Sequence, residues 1–168
     1  SDSAHVTEGS RDPFRLDQIT LQEWIDWLES LDYERRVALS YGRVERGISR
    51  MARSSFFVLV VEDEPIARMT HLGAIARLHD VAAIGASSVL EALTIIAQNP
   101  PQVVVLDLQL QDGTGIDVMT RLAELNTPVE LVIVSAHLDR FRHSLKVSDR
   151  LHLLEKPAPL REIQRIVE

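Results

Sequence analysis

The chain contains no cysteine in 168 residues. That excludes a disulfide framework and any thiolate metal site, and it suits a reducing cytoplasm. No apolar run approaches the roughly 20 residues that a membrane-spanning helix needs. The opening stretch SDSAHVTEGSRDP also lacks the hydrophobic core of a signal peptide, so the chain is expected to be soluble and cytoplasmic. Positive charge is in deficit as well, with 18 Lys and Arg against 25 Asp and Glu and a formal net charge of -7. A nucleic-acid surface covering most of the protein is disfavoured by that balance, and nucleic acid is not expected as a partner. A nucleotide binder needs a glycine-rich loop after its first strand, whereas the residues after the first apolar run are Glu62-Asp63-Glu64-Pro65.

Against these absences stand two apolar runs that break off in carboxylates. Phe56–Val61 runs into Glu62 and Asp63, and Val103–Leu106 runs into Asp107. A strand of consecutive Phe, Val and Leu has no polar face, so it belongs in the middle of a parallel sheet with helices on both sides. Ligands of open α/β sheets bind at the carboxyl ends of the strands. Three carboxylates at such ends would sit close together in a buried acidic pocket.

The chain divides near Arg53-Ser54-Ser55. Residues 1–54 read as a mobile tail followed by a helical extension. The first dozen residues are polar and aperiodic. Thr20 and Glu23 then form a capping box, after which Leu21, Trp24, Ile25, Leu28 and Leu31 recur at helical spacing. A second helical stretch carries Val37, Tyr41, Val44, Ile48 and Met51 alternately four and three apart, as in a coiled-coil seam. Dimerisation through residues 20–51, or docking on a partner, is the expectation. Arg35, Arg36, Arg43, Arg46, Arg50 and Arg53 could line a basic stripe, but acidic residues outnumber arginines in this segment.

From residue 56 onward strand-like and helix-like patterns alternate, which predicts βα units and a parallel sheet. Strands are expected near 56–61, 81–86, 103–106, 129–134 and 151–154, with helices near 65–78, 87–98, 115–125, 137–146 and 158–167. Pro65 fits a first helical position, Ser87 or Ser88 a helix cap, and Pro157 and Pro159 end the last strand.

Taken singly, the polar residues at these strand ends have ordinary readings. Acids favour helix N-termini, Asp favours turns, and Ser caps helices. Their order is less ordinary: Glu62-Asp63 after strand one, Asp107 after strand three, Ser135 after strand four and Lys156-Pro157 after strand five. In that order, and with the run Asp107-Leu108-Gln109-Leu110-Gln111-Asp112-Gly113-Thr114-Gly115, residues 56–168 resemble the receiver domain of bacterial two-component response regulators, which makes residues 55–168 the expected receiver domain.

The resemblance implies a doubly wound five-stranded parallel sheet of flavodoxin-like order 2-1-3-4-5. It implies Asp107 as phosphoacceptor and Mg²⁺ or Mn²⁺ as cofactor. Asp63, Asp107 and the backbone carbonyl of Gln109 would ligate the metal directly, and Glu62 mostly through water. Crowded carboxylates need a cation or a raised pKa, and Mg²⁺ favours oxygen ligands. Lys156, Ser135 and the backbone N–H groups of Leu108 and Ala136 would receive the phosphoryl group. The donor would be a sensor histidine kinase or a phosphotransfer protein, and the domain would promote its own phosphorylation without being a turnover enzyme. The alternative is a pseudo-receiver acting through constitutive protein contacts. A haloacid-dehalogenase-like phosphatase would need a second Asp at position 109, which is Gln.

Several positions depart from the family pattern. Gln111 replaces a frequent proline, Val147-Ser148-Asp149-Arg150 replaces a Gly-Ala turn, and Leu153 stands where Tyr or Phe is frequent. An aromatic rotamer switch on that face is therefore not expected. His137 either overhangs the phosphoryl group or lies on the helix surface. The last helical pattern reaches Glu168, consistent with a single-domain regulator or with part of a longer protein.

Overall fold

Strands without a polar face require cover on both sides, and that requirement organises the molecule. A computed structural model describes residues 56–168. Its main sheet contains β1 (Phe56–Val61), β2 (Val81–Ala86), β3 (Val103–Leu106), β6 (Glu130–Ser135) and β7 (Leu151–Glu155). All neighbours pair in parallel, in the order β2-β1-β3-β6-β7. This is the expected doubly wound order, with β6 and β7 in the fourth and fifth places. The capping box, the two N-terminal helices and the dimerisation seam lie outside the described residues.

Alternate residues of each strand point to opposite faces. Val58, Val60, Val103, Val105, Val132 and Val134 meet one pair of helices, α1 (Pro65–Ile75) and α5 (Leu160–Val167), through Leu72, Ile75, Ile163 and Val167. Leu59, Val61, Val104, Leu106 and Ile133 meet the other pair, α2 (Val89–Gln98) and α3 (Gly115–Ala123), through Ala92, Ile96, Val118 and Leu122. Two buried faces per strand account for the uninterrupted Val and Leu runs.

The helix boundaries follow local chemistry. Pro65 occupies the first turn of α1, and Ser88 caps α2 by accepting from Glu91 N at 3.1 Å. A hairpin not expected from the sequence, β4 (Gln109–Leu110) with β5 (Gly113–Thr114), fills the loop before α3.

The helix expected over 137–146 is a correction. It is one short turn, α4 (Leu138–Phe141), continued by a 3₁₀ turn over Arg142–Ser144. In that stretch Leu138 and Phe141 pack against the core, while Asp139, Arg140, Arg142 and His143 are exposed. So narrow an apolar stripe buries too little to hold three turns. The start is also weak, because His137 provides no side-chain cap.

Packing on both faces makes the central strands sensitive to truncation. Ile133→Ala, at a fully buried position, is expected to cost about 2–5 kcal/mol in urea unfolding. Leu90→Ala, 71% exposed on α2, should stay within about 0.5 kcal/mol.

Candidate functional site

Parallel register assembles the site. Val61 stands opposite both Ala86 and Leu106, and Leu106 opposite Ile133. The next residues, Glu62 and Asp107, therefore leave the sheet side by side. The ladder continues into them: Glu62 N donates to the Ala86 carbonyl at 3.0 Å and Asp107 N to the Val61 carbonyl at 2.9 Å. At the other side of the edge Ser135 faces Glu155, and Lys156 N donates to the Ser135 carbonyl at 3.1 Å. Strand order reverses between β1 and β3, which is where such sheets open a crevice for ligands.

Glu62 and Asp107 are 2% and 6% exposed. Lys156 Nζ donates to Glu62 Oε2 and to Asp107 Oδ2, each at 2.7 Å. One ammonium thus serves two buried carboxylates. Burial raises the Glu62 carboxyl to about 7; the Lys156 hydrogen bond opposes the shift and the Asp107 charge adds to it. Burial pulls Lys156 down, but its hydrogen bonds to Asp107 and Glu62 outweigh this and leave its pKa raised.

Asp63 is half-buried beside them, and one carboxylate oxygen from each of Glu62, Asp63 and Asp107 lies within 4.8 Å of the others. An all-oxygen donor set of this size, with no His in it, fits Mg²⁺ or Mn²⁺. Glu64, third in the acidic run, points elsewhere: its Oε2 accepts from Ala67 N at 2.7 Å and caps α1. The run is therefore divided between site and helix cap.

The loop after β3 is held closely. Gln109 N donates to Asp107 Oδ1 at 3.0 Å, so both Asp107 oxygens are engaged, and Leu108 is fully buried. Asp112 reaches back to α2, accepting from Val89 N at 2.8 Å and Leu90 N at 3.1 Å, and these two bonds hold its carboxyl below the usual range. Gly115 N donates to the Leu108 carbonyl at 3.0 Å, and a Cβ at Gly115 would stand 2.6 Å from the Asp107 carbonyl oxygen. Only glycine fits there without moving the backbone of Asp107.

Ser135 is fully buried, and its Oγ accepts from His137 N at 3.2 Å. Ala136 and His137 are exposed at the start of α4, and Leu153 is 40% exposed on β7. The structure thus joins Glu62, Asp63, Asp107 and Lys156 directly. Ser135 attaches through the Lys156 backbone, and Ala136 follows it.

Two buried residues of α1 escaped the sequence reading. Arg68, 4% exposed, donates from Nη1 to the Glu62 carbonyl at 2.7 Å and to the Asp63 carbonyl at 3.3 Å. Burial lowers its pKa, opposed chiefly by Glu91 and Glu62. His71 is 6% exposed, and burial, with Lys156 adding, lowers its pKa to about 4. It lines a largely apolar groove of about 470 Å³ with Ala67, Thr70, Lys156, Pro157 and Leu160. The available signal was their spacing, since Arg68, His71, Leu72 and Ile75 share the helical face that meets the sheet.

A doubly wound parallel sheet in the order β2-β1-β3-β6-β7 defines a receiver-type fold, and three carboxylates and a lysine meet at its carboxyl edge. The family model of the response regulator receiver domain matches residues 58–168, and the chain belongs to that family. Among curated relatives, it is 34% identical over 101 residues to the sensory transduction protein LytT of Bacillus anthracis, covering 60% of this chain and 41% of LytT. It is 43% identical over 84 residues to the transcriptional regulatory protein KdpE of Mycobacterium tuberculosis, covering 49% of this chain and 35% of KdpE. The chain therefore spans less than half the length of either relative. The receiver domain of the Erythrobacter litoralis response regulator PhyR superposes with a TM-score of 0.57 at 26% identity, over 69% of this chain and 89% of that one. Among the described residues no helix is long and apolar enough to cross a membrane.

Two outcomes follow from this geometry. With the Glu62 carboxyl raised from 4.5 to about 7 in the folded protein, the native state binds more protons than the unfolded state between those values. Its contribution to stability is fully present below pH 4.5 and is lost as pH rises to about 7. In EDTA, urea unfolding should show this decline, no larger than about 3 kcal/mol, and Glu62→Gln should flatten it. Gly115→Ala should cost about 1–3 kcal/mol by overpacking, read as a lower urea midpoint with unchanged slope.

Proposed function

We propose that this domain accepts a phosphoryl group on Asp107 from the phosphohistidine of a sensor histidine kinase or phosphotransfer protein, or from a small acyl phosphate. The modified domain then switches a partner or output domain. The supporting observation is Asp107 itself: buried at the switch point, with Oδ2 on Lys156 and two further carboxylates within 4.8 Å. An oxygen of Asp107 forms the new bond to phosphorus as the P–N bond of phosphohistidine, or the P–O bond of an acyl phosphate, breaks, and the bonding pair leaves with the imidazole or the carboxylate. A carboxylate nucleophile has no proton to remove, so no general base is required.

Glu62, Asp63 and Asp107, with the backbone carbonyl of Gln109, would hold Mg²⁺ or Mn²⁺. When bound, the ion offsets negative charge on the transferring phosphoryl oxygens. Lys156 exchanges its contact with Asp107 Oδ2 for a phosphoryl oxygen. Ser135 Oγ accepts from His137 N, which leaves its own proton to donate. The backbone N–H groups of Ala136 and Leu108 complete the receiving set. The domain promotes its own phosphorylation and dephosphorylation and is not a turnover enzyme. We place it in the cytoplasm, with residues 55–168 as the receiver and residues 1–54 as an extension for dimerisation or docking.

Incubation with acetyl phosphate and Mg²⁺ should add the mass of one phosphoryl group, and EDTA or Asp107→Asn should abolish the addition. Labelling that survives Asp107→Asn sinks the assignment. Absence of any labelling, together with failure to bind beryllofluoride, favours the pseudo-receiver instead. For the extension, light scattering before and after deletion of residues 1–54 should show a dimer becoming a monomer; an unchanged mass leaves docking as its role.

A further inference from the structure

Arg68 is a buried cation close to the site's acids. Its Nη1 donates to the main-chain carbonyls of Glu62, at 2.7 Å, and Asp63, at 3.3 Å. Burying a guanidinium is costly unless its donors are used, so its position on these two carbonyls calls for a structural consequence. The two carbonyls belong to the two acidic residues that leave β1. Fixing them fixes the peptide planes on either side of Asp63, and with them the direction in which its side chain departs. A second tie acts within the same turn, where Glu64 N donates to Glu62 Oε1 at 3.1 Å. Room for the Arg68 stem comes from β2: a Cβ at Gly85 would lie 3.0 Å from Arg68 Cδ and 3.1 Å from Cγ.

We propose that Arg68 is the positioning residue of the divalent-cation site, clamping the β1–α1 turn so that Glu62 and Asp63 are held in place to meet a metal ion together with Asp107. The inference rests on the reading of these three acids as a cation site. Groups that orient metal ligands without touching the metal typically change affinity 10–100-fold when lost. Two effects of removing Arg68 oppose each other. Loss of a nearby positive charge by itself tightens cation binding, whereas loss of the clamp weakens it. The sign of the change therefore separates positioning from simple electrostatics.

The test is Mn²⁺ binding to the full chain, followed by the electron paramagnetic resonance of free Mn²⁺ well below the melting temperature, for wild type, Arg68→Gln and Arg68→Lys. Weakening of about tenfold or more in Arg68→Gln is expected. Arg68→Lys keeps the charge but not the planar fork, and is also expected to bind more weakly than wild type. A residue that only supports the fold would lower the melting temperature and leave the dissociation constant unchanged, so a folded Arg68→Gln that binds Mn²⁺ as tightly as wild type, or more tightly, overturns the proposal. If Arg68→Gln loses its cooperative melt, Arg68→Lys decides by the same criterion. Failure of wild type to bind Mn²⁺ would instead overturn the cation-site reading on which the proposal rests, and Asp63→Asn in parallel checks that reading independently.

Discussion

One ammonium shared by two buried carboxylates constrains everything at the carboxyl edge of this sheet. An isolated buried carboxylate costs several kcal/mol, and Glu62 and Asp107 are both nearly inaccessible. Lys156 reaches them from the far edge strand, so the end of β7 is tied to the ends of β1 and β3 across the width of the sheet. The remaining acceptor capacity is met by main-chain donors, Gln109 N on Asp107 and Glu64 N on Glu62. Burial is what chiefly raises the Glu62 pKa, with the Asp107 charge adding to it, and a divalent ion at these acids would favour their ionised forms in place of the proton.

Those strands were legible in the sequence because a double-sided core leaves an uninterrupted signature: Val103–Leu106 can be read as a central strand from four residues. The acids were legible through their order, since Glu62-Asp63, Asp107, Ser135 and Lys156 each follow a strand of one sheet, while any one of them alone reads as a cap or turn residue. Residues whose role depends on tertiary reach were not. A lone arginine in an amphipathic helix reads as a solvated face, and nothing local tells that Arg68 turns inward onto two carbonyls. Asp112 reads as a turn former, yet its carboxylate caps a helix that begins 23 residues earlier. The β4–β5 hairpin is two residues per strand, below the length at which alternation can be seen. Helix α4 is shorter than the pattern over 137–146 suggests because only Leu138 and Phe141 in it pack against the core.

The short α4, the Val147-Ser148-Asp149-Arg150 turn and Leu153 fall on the same side of the molecule. On the β1 and β3 side, Arg68, Glu64, Gln109 and Asp112 fasten the acidic turns to α1, α2 and the sheet. On the β6 and β7 side Lys156 holds the end of β7, but the β6–α4 turn has a 3.2 Å bond from His137 N to Ser135 Oγ and an uncapped single turn of helix.

This asymmetry bears on how a charge added at Asp107 would be transmitted. A phosphoryl group adds roughly 1.5 to 2 negative charges, and a full two-state shift needs about 5.5 kcal/mol of differential interaction. A single hydrogen bond to a charged group supplies only about 1.5 to 3 kcal/mol, so several contacts must change together. The acidic turns resist displacement because each is held by bonds that would have to break. The β6–α4 turn is held by one neutral hydrogen bond from His137 N to Ser135 Oγ and by the packing of Leu138 and Phe141, so displacing it toward a new charge at Asp107 would break fewer polar contacts than displacing the acidic turns. A short α4 lowers the opposing term further, since few buried contacts must be repacked. If Asp107 is phosphorylated as proposed, the short α4 is the element with the fewest buried contacts to rearrange, and no aromatic side chain stands at position 153 to take part.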